Sequence, residues 1–231
     1  MATVLTLDKE KKEFGAEKKV EGFMMRHRKG IIVVAAVVLA AALGTSIVVG
    51  VMEHQRKKGI AEVYAIETTY RKNFVSLNDE EIVTRQNEAL ASLENYTSKT
   101  GIIGVRANML AADIYFAKKD FTKSMDCWQA AADADKKAYT VAICNYNIGV
   151  CLDELGNSEE AVSFYEKAAE DSSFLLPSHA LFSVGRLKEA SGDYAGAQAA
   201  YQKMVDTYTD DQWTDLAQTR LITLKIDGKI N

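Results

Sequence analysis

The chain has 231 residues, 48% of them hydrophobic, and a single proline. So little proline favours long uninterrupted helices, because proline removes a backbone donor and clashes inside a helix. Residues 1–58 hold eleven Lys/Arg against six Asp/Glu, whereas residues 59–231 hold 17 against 26; an acidic main domain argues against nucleic acid, whose phosphates need a basic face.

Residues 1–30 read as a short charged tail. From Ile31 to Val51 the chain runs 21 residues without a charge, IIVVAAVVLAAALGTSIVVGV. At ~1.5 Å rise per residue, a helix of that length crosses the ~30 Å hydrocarbon core of a bilayer. Two readings compete, a retained anchor and a cleaved signal peptide with its cleavage site at the small residues Ala42–Gly44. The apolar run continues through Ile47–Val51 and the leader is 30 residues long, which favours the anchor. No Cys follows closely, so no lipoprotein attachment site is expected. Lys18, Lys19, Arg26, Arg28 and Lys29 precede the span, and Arg56, Lys57 and Lys58 follow it. Positive charge gathers on the cytoplasmic side. The expected arrangement is therefore a single pass with a cytoplasmic N-terminus, and in a bacterial inner membrane the rest of the chain is periplasmic. Ala36, Ala40 and Gly44 recur every four residues and share a face. Small residues at that spacing let another membrane helix approach, though they are also ordinary membrane composition.

Residues 52–78 read as a helical stalk. Ile60, Val63, Tyr70, Phe74 and Leu77 are spaced for one helix face, so the spacing predicts a helix running from the membrane to near Asn78.

Residues 79–231 repeat themselves. GNSEEAVSFYEKA at 156–168 and GDYAGAQAAYQKM at 192–204 share a Gly, then an Ala and a Tyr at the same offsets. The match extends upstream, where Asn145–Gly149 and Leu152 align with Leu181–Gly185 and Lys188. Ala112, Tyr115, Asp120, Phe121, Ser124, Trp128 and Ala131 form an earlier copy, and the offsets are 37 and then 36 residues. Each copy reads as helix, turn, helix. Small residues (Ala112, Gly149, Gly185; Ser124, Ala161, Ala197) are expected where paired helices touch, and Trp128, Tyr165 and Tyr201 between neighbouring pairs. Self-similarity at a fixed period means a solenoid, in which no unit buries its apolar face alone. Half-units flank the array. Glu80–Tyr96 carries Ala89, Leu93 and Tyr96 as a second helix would, and Trp213–Lys225 carries Leu216, Ala217, Leu221 and Leu224 as a terminal cap, with Gly228 beyond.

This pattern resembles the tetratricopeptide repeat. The family's succession of small residue, large residue, glycine, alanine, aromatic and alanine is met by Gly149, Leu152, Gly156, Ala161, Tyr165 and Ala168. The third unit departs from it at Lys188 and Met204, and the first at Lys119 and Ser124. The resemblance implies an all-α, right-handed α-solenoid of about three full repeats. It also implies a concave groove for proteins or peptides, made by the first helices. Carried over by repeat position, the groove holds Arg106, Met109, Asp113 and Phe116; then Ile143, Tyr146, Asn147, Val150 and Asp153; then His179, Phe182, Arg186 and Glu189. Inter-helix packing is the alternative role for each. Chaperone-binding members clamp a terminal carboxylate with Lys and Asn; only Asn147 fits that pattern here. Tyr146 and Phe182 are expected to face the groove without holding the helices together.

No catalytic motif stands out, so the chain does not read as an enzyme and implies no cofactor. His27, His54 and His179 are far apart in sequence, and no zinc signature, nucleophile elbow or phosphate loop is present. Cys144 and Cys151 are two helical turns apart, about 10 Å, too far to bridge. Cys127 lies on the preceding helix and could meet one of them, though small buried residues are the plainer reading. Asn95-Tyr96-Thr97 matches a glycosylation sequon. The whole layout, EGFMMRHRKGIIVV running into a helical stalk and a small repeat array, resembles the YfgM-like ancillary subunits of the bacterial Sec translocon. That implies a membrane-anchored interaction module serving the translocon, whose membrane subunits would be partners, or periplasmic chaperones. The block MVDTYTDDQWTDLAQTRL also resembles repeats in envelope assembly and cell-division coordinators. This leaves a scaffold in outer-membrane assembly, division or a motor as the alternative.

Overall fold

A computed structural model of the protein describes residues 2–231, with side chains from Glu21 onward. The side chains of Lys18 and Lys19, and of the tail before Glu21, lie outside the described residues. The protein is helical throughout, with no strand among the described residues. The chain forms two compact units, Met1–Lys57 and Lys58–Asn231.

The first unit is helical. Helix α1, Ala2–Arg71, supplies it and also gives the second unit its first helix. Glu21–Ser76 contains the one stretch among the described residues long and apolar enough to cross a membrane. Its apolar side chains find no protein partners: Val33, Leu39, Leu43 and Ile47 are all exposed. Thr45 and Ser46 donate their hydroxyls back to the Ala42 carbonyl at 2.9 and 2.8 Å, so even these polar groups are satisfied within the helix. Ala36, Ala40 and Gly44 are exposed, and a Cβ on Gly44 would meet nothing within 4 Å.

The second unit is a run of helical hairpins. The end of α1 packs with α2 (Asp79–Thr97), joined by a single 3-10 turn at Phe74–Ser76. Three full repeats follow: α3 (Gly101–Ala117) with α4 (Phe121–Ala134), α5 (Thr140–Glu154) with α6 (Ser158–Glu170), and α7 (Pro177–Ala190) with α8 (Tyr194–Thr207). Helix α9 (Gln212–Ile226) packs on α8 and α7. From α2 to α9 each helix contacts its sequence neighbours, as a solenoid requires.

The turns explain why the period is so regular. The first helix of each repeat ends at a residue with positive φ: Lys119 at 60°, Gly156 at 79°, Gly192 at 84°, and after α9 Gly228 at 65°. In each case the next amide reaches back to a carbonyl five residues earlier, at 2.9 Å for Asp120 to Tyr115, Asn157 to Leu152, Asp193 to Lys188 and Lys229 to Leu224. This is the Schellman closure of a helix C-terminus. Asp120 and Asp193 then accept from the amides of Lys123 and Gly196 and cap the second helix. The departure at Lys119 is thus a non-glycine residue in the left-handed conformation that glycine adopts in the other turns.

The structure corrects three expectations. Helix α1 stops at Arg71, not near Asn78: Asn73 takes the left-handed conformation, and Asn78 opens α2 with a capping box to Glu81. Leu216 does not join the buried face of α9; it is 49% exposed, while Ala217 and Leu224 are buried. The large aromatics fill their own repeat as well as the gap to the next. Tyr165 lies on Gly149, where a Cβ would come within 2.9 Å of the ring, and Tyr201 lies on Gly185 in the same way. Both tyrosines and Trp128 are buried. Ser124, the other departure in the first repeat, donates its buried hydroxyl to the Ala112 carbonyl at 2.9 Å and accepts from the Cys151 thiol at 3.3 Å.

Candidate functional site

The thirteen groove candidates lie on α3, α5 and α7. None is fully buried: Asp113 and Arg186 are exposed and the others are half-buried. Opposite sides of the same helices carry the fully buried Ala112, Gly149 and Gly185 that meet the second helices. The first helices therefore show one face to their partners and keep another partly open.

The charges on that face neutralise one another. Arg106 reaches Glu67 at 3.4 Å, and Arg71 reaches both Glu67 (3.1 Å) and Asp113 (3.7 Å), tying α1 to α3. Arg186 pairs with Asp153, tying α7 to α5. Arg220 pairs with Glu189, which also accepts from the Tyr201 hydroxyl at 3.1 Å, tying α9 to α7. Every charged candidate thus has a partner on an adjacent first helix. Although the Asp113 side chain is exposed, the crowding of surrounding protein at its carboxyl costs hydration and pushes it up, with Arg71 opposing the shift and Glu67 adding to it.

Between the ion pairs the face is largely apolar, with Asn147 and His179 as its uncharged polar members. Met109, Phe116, Ile143, Tyr146 and Val150 pack partly against the core of the first two repeats, and Phe182 against that of the third. One cleft of ≈ 420 Å³ sits among α1, α3 and α5, walled by Glu67, Arg71, Arg106 and Asp113 and floored by Met109 and Ile143. A second, of ≈ 470 Å³, is lined by Phe182, Arg186, Glu189, Tyr201, Arg220 and Leu224. A larger cleft of ≈ 590 Å³ lies off this face, between α1 and α2.

The aromatic candidates hold helices together, contrary to expectation. The Tyr146 ring lies 5.4 Å from both Tyr165 and Phe174, and burial raises its phenol. Phe182 lies 5.6 Å from Tyr201 and 5.1 Å from Trp213, and His179 lies 4.3 Å from Trp213. Asn147, the one residue fitting a carboxylate clamp, donates its amide to the Ile143 carbonyl of its own helix at 2.9 Å.

Sequence reasoning missed two polar anchors. Buried Asn108 donates to the carbonyls of Thr97 and Gly104 at 2.8 and 2.9 Å, locking α3 to the end of α2. Asp211 accepts from Ser178 and from the Trp213 amide, so it both caps α9 and grips α7; these bonds hold its carboxyl below the usual range. An Asp just ahead of a helical apolar pattern was the available signal for the second. The three cysteines are free thiols. Burial pushes Cys127 up to about 11 and Cys144 up to about 12, leaving both protonated and unreactive near neutrality. Among the described residues no group of three His, Cys, Asp or Glu is placed to hold a metal ion.

Residues 22–227 match the family described as a tetratricopeptide repeat-like domain. A TPR repeat-containing protein of Treponema pallidum (strain Nichols) is 31% identical over 227 residues, covering 91% of this chain and 95% of the relative. Response regulator aspartate phosphatase J of Bacillus subtilis (strain 168) is 29% identical over 116 residues; the match covers 48% of this chain and only 30% of that protein. Among solved structures, MamA aligns over 67% of this chain and 91% of its own, with 17% identity and a TM-score of 0.45. The apo form of RapI aligns over 70% of this chain and 44% of its own, with 18% identity and a TM-score of 0.48. The family match spans the repeats whose turns and aromatic–glycine contacts are described above, and the chain belongs to the tetratricopeptide repeat-like domain family.

Proposed function

We propose that the chain is a membrane-anchored protein-interaction module that holds extended, largely uncharged protein segments on the open face of its first helices. The observation that carries this reading is that Arg106, Asp113, Asp153, Arg186 and Glu189 are each paired with an opposite charge on a neighbouring helix. With its charges paired, the face has half-buried Met109, Ile143, Val150 and Phe182 left to offer a partner. Apolar anchors of this kind tend to dominate binding energy, while rim charges orient the partner. The apolar span at 31–51 and the five-to-three excess of basic residues before it support a single-pass anchor in a bacterial inner membrane, with a cytoplasmic N-terminus and a periplasmic array. Within that setting we assign the module to the Sec translocon or to periplasmic chaperones, with Ala36, Ala40 and Gly44 as the contact to a translocon membrane subunit.

The test is a photo-crosslinking amino acid at Val150, with the exposed Val83 of α2 as the control, in full chain purified in gentle detergent. Cross-links from Val150 to exported, incompletely folded polypeptides, absent at Val83, are expected. Equal labelling from the two positions would remove the face from consideration. Protease added to spheroplasts tests topology: it should degrade residues 59–231 and spare the tail.

A second reading has one observation in its favour. The same ion pairs tie α1 to α3, α5 to α7 and α7 to α9. That is how a rigid scaffold of another envelope assembly would be braced. Cross-links confined to one stable folded partner would favour it.

A further inference from the structure

Ile102, Tyr139 and Leu175 stand at one repeat position, each 17 residues before the left-handed residue that closes its first helix. They are 37%, 68% and 90% exposed. The position lies at or beside the connection from one repeat to the next, and the fold does not need an apolar residue there. The next equivalent is Asp211, which uses the place to cap α9. Leu175 is held outward rather than left loose. Phe174 beside it is buried against Tyr146, and the Ser173 hydroxyl donates to Asp171 at 2.7 Å. Leu176 adds a further exposed apolar side chain.

Cations share this edge. Lys99, Lys136 and Lys137 are exposed in the same connections. Of the carboxylates nearby, Asp135 accepts from the Lys137 amide, Asp171 from the Ser173 amide, and Asp133 pairs with Lys136, while Glu170 at the end of α6 is exposed, so the cations gather at the first two connections and the exposed leucines at the third. The chain enters the second unit at the same edge, since a Cβ on Gly59 would come within 2.6 Å of the Ile103 side chain. Gly59 follows Val51 by eight residues, so along any path it lies within about 28 Å of the end of the apolar span.

We propose that this edge rests on the bilayer surface, with Leu175, Leu176, Tyr139 and Ile102 in the interfacial layer and Lys99 and Lys137 on anionic headgroups. The proposal rests on the anchor reading above. Tyrosine favours the headgroup level and lysine keeps its ammonium there while its stem stays apolar. Single apolar side chains on separate connections, with lysines between them, suit a surface without fixed shape; a folded protein partner would ask for a continuous patch.

The test uses full-length chain in phosphatidylethanolamine–phosphatidylglycerol vesicles, with or without brominated acyl chains. Leu175→Trp reports the edge, and Leu155→Trp reports the first-to-second-helix turns at the other end of the helices. Native Trp128 and Trp213 are present in both and are subtracted with the parent protein. Loss of emission in brominated vesicles is expected for Leu175→Trp and not for Leu155→Trp. Adding Lys99→Glu and Lys137→Glu should reverse much of that loss. Tyr139→Trp serves as the second reporter should Leu175→Trp perturb the loop, which circular dichroism would reveal. A chain that fails to float with the vesicles overturns the anchor and the edge contact together. A chain that floats but shows no loss at position 175 or 139, or equal loss at 155, overturns the edge contact alone.

Discussion

The first and middle repeats reach the same geometry with different residues. In the middle repeat Tyr165 lies on Gly149, Ala161 fills the crossing and Gly156 makes the turn. In the first, Trp128 shares a core cluster with Ala112, Ser124 takes the place of Ala161, and Lys119 makes the turn. Of two of these exchanges, one is compensated and the other is not. The Ser124 hydroxyl is buried but has a donor and an acceptor partner, so it costs little. The Lys119 backbone has no such compensation; a side chain in the left-handed region remains strained. A repeat position therefore prescribes volume and backbone conformation, and tolerates any residue that can meet them at a bearable energy.

Removing the middle ring should give the largest effect. Tyr165→Ala deletes a buried aromatic that touches its own repeat and, through Tyr146, the neighbouring loop. A loss of ~3–5 kcal/mol is expected, with a broader urea transition because a central unit couples both sides of the array. Trp128→Ala should cost about as much, and an unchanged melt for either would break the equivalence of the two positions.

The groove aromatics come next. Tyr146→Ala with Phe182→Ala should lower stability by about 3 kcal/mol, since both rings are half-buried in aromatic clusters. The first-repeat equivalent, Met109→Ala, removes no such ring contact and should cost clearly less in the same melts.

Alkali should separate the repeats through their thiols. A thiol in the unfolded chain titrates near ~8.5, whereas burial holds Cys144 to about 12 and Cys127 to about 11. The folded state keeps these protons longer than the unfolded state. Their stabilising contribution is therefore full below ~pH 8.5 and is lost as pH rises through the folded values. Denaturant midpoints should fall over that window, and Cys144→Ala should flatten the fall more than Cys127→Ala.

The turn exchange is the smallest. Lys119→Gly should raise stability by about 1 kcal/mol, and Gly156→Lys should lower it by a similar amount. Opposite signs in paired thermal melts sharpen the comparison; equal signs would mean the two turns are not equivalent.

The repeats were legible because small and large residues recur at fixed offsets, but the seating of Tyr165 on Gly149 and of Tyr201 on Gly185 within one repeat was not, since offset alone does not say which helix a ring packs against. Depth was harder to read. Repeat position places Tyr146 and Phe182 on the open face, but their half-burial depends on Phe174 and Trp213, which arrive from a loop and from α9. The charge pairing of the face was hidden for a similar reason, since Glu67, Arg71 and Arg220 belong to helices outside the three clear copies. The end of α1 left a readable signal in Asn73, a residue that accepts the left-handed conformation, but the apolar spacing through Leu77 masked it.

The matching turns at Gly156 and Gly192 also make the chain a cassette. Residues 157–192 run from just after one left-handed glycine through the next and include 36 residues. A tandem duplication of that segment would place Gly192 before Asn157, a junction of the same type as the native Gly156–Asn157 and Gly192–Asp193. The lengthened array would gain a second helix, a connection and a first helix without any new kind of seam. Genetic recombination within the repeats thus has an in-register solution at this point, and the length of the binding face is open to change by duplication as much as by substitution.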